Sequence, residues 1–200
     1  MIIFDYSIFA ITLLAYITTK SIILFCLVLA FCLSFMYSPD MTGTNYLPNY
    51  FHSPSDGTVR TITQDGNNLV ISLFLNVFDN HTQYIPISST IISQIRVGGA
   101  FDPAFLEHSV NNEQVETMLK CIDYQFEYKI EQITGLVTRR IKNLLPTSPS
   151  ELVPGSRLGF IVLGSRVDIT VPVANIRRLL IEPGQHISAM QQIIELNSYK

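Results

Sequence analysis

Hydrophobic residues are concentrated in one stretch near the N-terminus, and this stretch constrains the fold more than any other feature. From Ile8 to Tyr37 the chain is almost entirely apolar, with one interruption at Thr18-Thr19-Lys20-Ser21. A helix that spans a bilayer needs roughly 20 apolar residues, and the run from Ile22 to Tyr37 is slightly shorter. We therefore predict that residues 1–39 form a hydrophobic helical segment that attaches the chain to a membrane.

Other interpretations of this segment stay open. It fits one long tilted helix or two short helices that turn near Lys20, and a cleaved signal peptide or a buried core helix is the alternative. A signal peptide normally begins with basic residues, whereas this start carries Asp5 and no Lys or Arg. Because Lys20 is the only basic residue before Arg60, the orientation in the membrane is undecided.

The composition argues against two functional classes. Charged residues make up 14% of the chain and the formal net charge is -3, which is unlike a nucleic-acid-binding protein. The three cysteines, Cys26, Cys32 and Cys121, form no pair with the spacing of a metal site. We therefore predict neither a nucleic-acid partner nor a bound metal.

Residues 40–200 are predicted to form a mainly β, β-rich α+β catalytic domain. Short apolar or alternating runs separated by turn residues are typical of strands. Such runs are Leu69–Leu75, Ile91–Val97, Tyr124–Ile130, Leu158–Leu163 and Arg166–Val171. The pattern from Ile133 to Leu145 also fits a helix, although its β-branched residues and Gly135 oppose one.

The C-terminal segment is predicted to be a hairpin. Ile176 to Ile181 and Ile187 to Leu196 are strand-like, and Glu182-Pro183-Gly184-Gln185 between them has the residues of a tight turn. The pattern resembles the hairpin of lipoyl and biotinyl carrier domains, but the turn lacks the lysine that those proteins modify. We therefore interpret it as architecture without chemistry of its own.

Five elements carry the polar residues suited to catalysis, and their order is more informative than any one of them. They are Ser53-Pro54-Ser55-Asp56-Gly57, Phe78-Asp79-Asn80-His81, Gln132-Ile133-Thr134-Gly135-Leu136 with Arg139-Arg140-Ile141, Gly155-Ser156-Arg157-Leu158-Gly159-Phe160, and Leu163-Gly164-Ser165-Arg166. In this order they resemble the short bacterial form of the phosphatidylserine decarboxylase family. That form has Ser-Pro-Ala-Asp-Gly, Phe-Asp-Val-His, Gln-Ile-Ala-Gly-Leu with Arg-Arg-Ile, and Phe-Gly-Ser-Arg elements, preceded by an apolar segment.

The resemblance implies a proenzyme that cleaves itself between Gly164 and Ser165. Ser165 would become a covalent pyruvoyl group that forms a Schiff base with the substrate. Asp56 would take part in the self-cleavage, and His81 would lie at the active site. Cleavage would give a larger β chain, residues 1–164, and a smaller α chain, residues 165–200, which stay together as a heterodimer; the existence of a higher oligomer is left open.

The implied chemistry needs these residue types. A base is required because a serine hydroxyl is a weak nucleophile. Attack of the Ser165 hydroxyl on the Gly164 carbonyl turns the peptide bond into an ester, and β-elimination followed by hydrolysis leaves the pyruvoyl group and ammonia. The pyruvoyl carbonyl then withdraws electrons as phosphatidylserine loses CO₂ and becomes phosphatidylethanolamine, a step of phospholipid biosynthesis. His81 suits the acid-base work because the ordinary pKa of histidine is near 6.5.

Some positions depart from the family pattern. Tyr84 stands where some members have a second histidine and short forms often have arginine, so the base for processing is not identified. Gln114 replaces the arginine of an Asn-Glu-Arg element. The arginines that remain as candidate contacts for the anionic headgroup are Arg166, Arg139 and Arg140.

The main alternative is a membrane-tethered β-domain that is homologous to the decarboxylases but not catalytic. The altered positions favour it, whereas the presence of Gly164-Ser165, Asp56 and His81 together opposes it. A serine hydrolase is disfavoured because the chain has no Gly-x-Ser-x-Gly motif. The resemblance places the protein in a bacterial inner membrane, and it leaves open which seryl lipid, phosphatidylserine or an archaetidylserine, is the substrate.

Overall fold

The computed structural model describes residues 11–15, 22–36, 38–43, 46–76, 78–99, 112–135, 141–143, 145, 151–161 and 165–197. The chain divides into two compact units, residues 1–39 and residues 40–200. In the first unit, residues 11–15 are helical, and helix α1 comprises Ile22–Met36. Within the described ranges, no helix is both long enough and apolar enough to cross a membrane.

The second unit is built from short strands, as the alternating sequence pattern predicts. The strands are β1 (Tyr50–His52), β2 (Gly57–Asp65), β3 (Asn68–Leu75), β4 (Thr82–Tyr84), β5 (Ser89–Val97), β6 (Gln114–Cys121), β7 (Glu127–Ile133), β8 (Ile141–Asn143), β9 (Arg157–Ile161), β10 (Ser165–Pro172), β11 (Ile176–Leu179), β12 (His186–Ile187) and β13 (Gln192–Leu196). A short 3-10 helix, Val173–Asn175, links β10 to β11.

The strands of the second unit form three sheets. The largest has seven strands in the order β12-β2-β3-β10-β7-β6-β5, and β10 lies at its centre. Two three-stranded sheets have the orders β1-β13-β11 and β4-β9-β8. All strand pairs within the described ranges are antiparallel.

One hydrophobic core connects the three sheets. Val167 and Ile169 on β10 are fully buried, since alternate residues of a strand point to the same face of the sheet. The same buried cluster includes Phe51 of β1, Ile194 of β13 and Leu158 of β9. Burial of these side chains therefore holds together strands that are far apart in the sequence.

The structure corrects three of the sequence-based expectations. A helix from Ile133 to Leu145, which the sequence pattern left open, is not formed in the described part of this segment, because Ile133 ends β7 and Ile141–Asn143 pairs with β9. The strand predicted at Tyr124 begins only at Glu127, since the chain turns at residues 122–124 and Gln125 has a positive φ of 56°. Ser165 belongs to β10 itself and does not merely precede it.

The C-terminal segment is also more complex than a simple hairpin. β11 and β13 do pair with each other, as predicted, but the turn at residues 182–185 does not join them directly. The residues that follow the turn, His186 and Ile187, pair with Thr58 and Gly57 at the start of β2. This intervening strand β12 attaches the C-terminal segment to the edge of the seven-stranded sheet.

Candidate active site

One end of the seven-stranded sheet, which we name the site end, carries the residues predicted to be catalytic. Ser165 begins β10 and pairs with Leu75 at the end of β3, while Arg166 pairs with Ile133 at the end of β7. Gly57 begins β2, which is the neighbour of β3 on its other side. The antiparallel register thus gathers these sequence elements at the site end, although they are far apart in the chain.

Ser165 is fully buried at the site end. Its hydroxyl has no hydrogen-bond partner among the residues that the structure describes. A buried polar group without a partner is unfavourable, and such groups commonly mark positions retained for chemistry. Gly164, on the other side of the predicted scissile bond, lies outside the described residues, as do Arg139 and Arg140.

The carboxylate of Asp56 joins three segments. One oxygen accepts a hydrogen bond from the amide of Ala189 at 2.6 Å, and the other accepts one from the amide of Asn80 at 3.2 Å. Bonds from amides to a carboxylate are stronger than bonds between neutral groups. Asp56 is therefore held in one orientation between the start of β2, the loop before β4 and the C-terminal segment.

The imidazole of His81 is buried and oriented by a neighbouring carbonyl. Its Nδ1 lies 2.7 Å from the carbonyl oxygen of Asp79. Because a carbonyl oxygen only accepts hydrogen bonds, Nδ1 carries the proton. Nε2 of the neutral ring then has the basic lone pair. Burial lowers the pKa of His81 below its ordinary value, and the hydrogen bond to Asp79 and the charges of Asp79 and Asp56 counteract this only in part.

Two connections place His81 close to the start of β10. The carbonyl of His81 accepts a hydrogen bond from the amide of Ile161 at 3.0 Å. Ile161 ends β9, and Ser165 follows four residues later, so their Cα atoms lie within about 14 Å of each other even if the chain is fully extended. The predicted residues Asp56, His81 and Ser165 thus belong to one region of the fold.

Arg166 lies on the opposite face of the sheet from the Ser165 side chain, because successive residues of a strand alternate. Its guanidinium forms an ion pair with Asp168 at 2.9 Å, and both side chains are nearly buried. The proposed headgroup contact of Arg166 stays a prediction.

Tyr84 is buried, and its hydroxyl accepts a hydrogen bond from the side chain of Asn80 at 3.3 Å. This departure from the family pattern is therefore linked to Asp56 through Asn80.

Two glutamines at this site were missed by the sequence analysis. The side chain of Gln83 donates to the carbonyl of His81 at 2.8 Å, and Gln132 donates to Gln83 at 2.7 Å. Both glutamines are fully buried. The sequence offered one signal, which is that Gln132 belongs to one of the five elements. A contact between side chains of two different sheets leaves no pattern in the local sequence.

Among the described residues, no group of His, Cys, Asp and Glu side chains has the arrangement of a metal site.

Gly57 follows Asp56 directly at the start of β2, and its replacement is expected to disturb the site. Its φ is +149°, and a Cβ atom there would lie 2.9 Å from the carbonyl oxygen of Phe74. We expect Gly57→Ala to lower the free energy of unfolding by about 1–3 kcal/mol. The control is Gly66→Ala, because Gly66 also has a positive φ but nothing lies near its Cβ position. Equal losses in chemical denaturation would contradict the steric explanation.

Burial of two histidines predicts a pH-dependent stability. Burial lowers the pKa of His81 and of His52, whose Nδ1 lies 3.2 Å from the carbonyl of Pro86. Below the ordinary pKa of about 6.5, the unfolded chain binds protons that the folded chain still excludes. The free energy of unfolding should therefore fall as the pH drops from about 6.5, by up to about 1.4 kcal/mol per pH unit for each histidine.

Denaturation curves recorded from pH 7.5 to 5 would test this, and His52→Gln should reduce the slope by up to half. His186→Gln is the comparison variant, because it removes a histidine that is about half exposed and paired with Asp79 rather than buried. Glu131, whose pKa is raised by burial, acts in the opposite direction at lower pH, so the comparison between variants isolates the histidines. An unchanged slope in His52→Gln would refute its contribution.

Comparison with known proteins identifies the family of the chain. The phosphatidylserine decarboxylase family matches residues 48–195. A phosphatidylserine decarboxylase proenzyme from Ralstonia nicotianae is 34% identical over 178 residues, which cover 85% of this chain and 80% of that protein. A protein from Halobacterium salinarum, which carries the name of an archaetidylserine decarboxylase proenzyme, is 32% identical over 143 residues, 70% of this chain and 69% of its own length.

A phosphatidylserine decarboxylase proenzyme from Chlorobium chlorochromatii is 33% identical over 177 residues, 83% of this chain and 79% of that protein. No solved structure matches the chain significantly. The family match spans the segments that carry Asp56, His81 and Ser165. The chain therefore belongs to the phosphatidylserine decarboxylase family.

Proposed function

We propose that this chain is a proenzyme that cleaves itself between Gly164 and Ser165, forms a pyruvoyl group from Ser165, and decarboxylates phosphatidylserine. The observation that carries the proposal is the buried hydroxyl of Ser165, which has no hydrogen-bond partner among the described residues. It lies at the site end, where the antiparallel register also brings the elements of Asp56 and His81.

The surroundings of Ser165 fit a pyruvoyl group. Conversion of serine to pyruvoyl would turn the buried CH₂OH group into a smaller methyl group and, with one water consumed and ammonia released, would place a carbonyl at Cα of residue 165, which is fully buried in the proenzyme. A pyruvoyl group would supply an electrophilic ketone that condenses with an amine and withdraws electrons, which none of the twenty ordinary side chains contains. The described residues around it offer orientation and acid-base help.

Asp56 and His81 would have different tasks. The two amides that bind Asp56 hold its carboxylate in one orientation near the segment that must be cleaved, which suits a role in the first stage. His81 is kept neutral by burial and presents Nε2 as a base, which suits proton transfer to and from the substrate. The attacking hydroxyl gives up its proton as the ester forms, and the amino group of the former peptide bond receives one.

The two fragments would stay together after cleavage. The smaller fragment, residues 165–200, contributes β10 at the centre of the seven-stranded sheet, between β3 and β7 of the larger fragment. It also contributes β12 and β13, which pair with β2 and β1. These pairings support a heterodimer of the two fragments, in which the carrier-like C-terminal strands have a structural task.

The hydrophobic first unit supports membrane attachment. Helix α1 is apolar all round, with no charged residue over its length. A helix of this kind is stable only when it is buried in protein or in lipid. We propose that residues 1–39 attach the enzyme to the bacterial inner membrane, where its substrate resides.

Attachment predicts that the protein sediments with membranes and resists extraction by carbonate or high salt. Deletion of residues 1–37 is expected to release a soluble chain that still cleaves itself, because every predicted catalytic residue lies downstream. The measurement is fractionation followed by immunoblotting. Recovery of the full-length chain in the soluble fraction without detergent would contradict attachment.

The proposed function is tested by intact mass and by release of CO₂. The purified protein should give two fragments, with the smaller one beginning at residue 165 and carrying a blocked terminus. Carboxyl-labelled phosphatidylserine and archaetidylserine should both be assayed, because both have a phosphoserine headgroup and the names of the relatives include both activities. A chain that stays full length and releases no CO₂ would favour a non-catalytic homologue.

A further inference from the structure

Large hydrophobic side chains are exposed at the site end. Phe78, in the loop between β3 and β4, is 85% exposed, three residues before His81. Ile95 and Val97, near the end of β5, are 56% and 38% exposed. β5 ends at the site end, since Val97 pairs with Gln114 and Gln114 pairs with Ile133. The site end therefore has apolar surface on both sides of the central strands.

The backbone on both sides of Phe78 is held by hydrogen bonds. The side chain of Asn76 accepts a bond from the amide of Phe78 at 2.8 Å. The carboxylate of Asp79 accepts one from the amide of Asn76 at 2.8 Å and another from His186 at 2.9 Å. This ordered turn presents an aromatic ring to water, and transfer of such a ring into an apolar phase is favourable.

Charged side chains lie at both ends of the sheet. At the opposite end, which we name the far end, Asp65 of the β2–β3 turn and Asp123 and Glu127 near the β6–β7 turn are exposed. At the site end, Arg96 is half exposed between Ile95 and Val97, where it pairs with Glu113. The exposed apolar side chains of the site end, rather than the charged far end, would enter a lipid interface.

We propose that the site end docks on an anionic lipid bilayer, with Phe78 inserted into the interface next to the active site and with Ile95 and Val97 as a second contact. The proposal rests on the proposed function, since a lipid whose acyl chains stay in the bilayer must bring its headgroup to Ser165. Phe78 lies three positions before His81, a span of at most about 11 Å, so an inserted Phe78 leaves the headgroup within reach of the site.

The absence of tryptophan from the sequence makes the test direct. Phe78→Trp introduces a single indole, and the full chain is reconstituted in vesicles that contain phosphatidylserine and brominated phosphatidylcholine. Bromine quenches indole fluorescence only at short range. Val173→Trp is the matched control, because Val173 is 36% exposed and follows β10 at the far end. Both variants share the same N-terminal attachment.

We expect quenching of the indole in Phe78→Trp to exceed that in Val173→Trp by about twofold or more, as for an aromatic residue at a membrane interface. Equal quenching in the two variants would overturn the proposal. It would also be overturned if the chain formed a dimer in detergent and the dimer contact shielded the indole of Phe78→Trp. This readout requires no catalysis. Its failure is therefore distinguishable from failure of the proposed function, which cleavage and CO₂ release report.

Activity provides a second arm. Phe78→Ser should cleave itself normally and should decarboxylate a short-chain, water-soluble phosphatidylserine at the wild-type rate. On vesicles its kcat/KM should fall on the order of tenfold, because the apolar contact with lipid is lost. An equal fall on the soluble substrate would show that Phe78 acts within the site and would overturn the docking role.

A different observation supports a second inference. The carbonyl of His81 accepts bonds from both Ile161 and Gln83, and Gln132 donates to Gln83 across the space between two sheets. Room for the Gln132 amide exists because residue 159 is glycine: a Cβ there would lie 3.0 Å from its nitrogen. Gln132 pairs with Val167, which places it diagonally across from Ser165, about 7–8 Å away between Cα atoms.

We infer that Gln83 and Gln132 are positioning residues that hold His81 relative to Ser165. Gln83→Met and Gln132→Met keep the size of the side chain and remove its hydrogen bonds. For the cleaved, folded protein we expect kcat to fall on the order of tenfold while KM stays within about twofold, as for loss of an interaction needed in the transition state. Gln94→Met, on the outer strand β5, is the control and should keep the wild-type kcat.

Gln83→Glu refines this test, since its carboxylate still accepts from Gln132 but no longer donates to the His81 carbonyl. It should lose kcat to the same extent as Gln83→Met. Variants that melt at a lower temperature but retain the wild-type kcat would show a purely structural role and overturn the inference.

Discussion

Replacement of Ser165 by alanine is expected to leave the protein as one uncleaved polypeptide without decarboxylase activity. The change removes the hydroxyl that would attack the Gly164 carbonyl, and no other group on that side chain can form the ester. The loss should be complete on denaturing gels and in CO₂ release. The stability should change little, because the hydroxyl has no hydrogen-bond partner among the described residues.

The chain contains its own control for this experiment. Gly155-Ser156-Arg157 repeats the tripeptide Gly164-Ser165-Arg166. Ser156 is partly exposed in a turn, and its hydroxyl donates to the carbonyl of Val153 at 2.6 Å. Ser156→Ala should therefore cleave and decarboxylate as the wild type does. Cleavage of Ser165→Ala, or a block in Ser156→Ala, would show that the wrong serine has been assigned.

Replacement of Asp56 and of His81 is expected to stop the reaction at different stages. Asp56→Ala should accumulate the uncut proenzyme, because the carboxylate that joins the amides of Ala189 and Asn80 is lost from the first-stage site. His81→Ala should still cleave, at least in part, if Tyr84 or another group serves as the processing base. Its decarboxylation should fall on the order of 10²–10⁴-fold, the usual contribution of a general acid or base.

Gels and CO₂ release, measured on the same samples, separate the two stages. Asp65→Ala, an exposed acid at the far end of β2, is the control and should behave as the wild type. A complete block of cleavage in His81→Ala would identify His81 as the processing base and refute the division of tasks. Wild-type behaviour of both site variants would refute the assignment of the site.

Local sequence predicted those strands whose apolar pattern is strong. The runs from Leu69 to Leu75 and from Ile91 to Val97 lie within β3 and β5, because their hydrophobic residues suit the half-buried surface of a sheet. The prediction that a strand begins at Tyr124 was wrong, because Gln125 has a left-handed backbone conformation. Pattern alone does not reveal such a turn when neither glycine nor proline marks it.

The sequence left a helix from Ile133 to Leu145 open, and a non-local contact decides against it in the described residues. Ile141–Asn143 pairs with residues 159–161 of β9, and Ile141 joins the common core. Pairing with a distant strand and burial of an apolar side chain outweigh a weak helical preference, which amounts to less than about 1 kcal/mol per residue. Such partners are not visible in a local window of sequence.

The sequence by itself determined the β-rich class, the apolar first unit and the residues that carry the family resemblance, because these depend on composition, periodicity and order along the chain. Only the tertiary structure decided which of the two Gly-Ser-Arg serines is buried without a partner among the described residues and which lies in a turn. It also brought Gln132 to Gln83 and Asp56 to Ala189. The physical reason is that antiparallel register and a shared core set these contacts, and both depend on residues far apart in the chain.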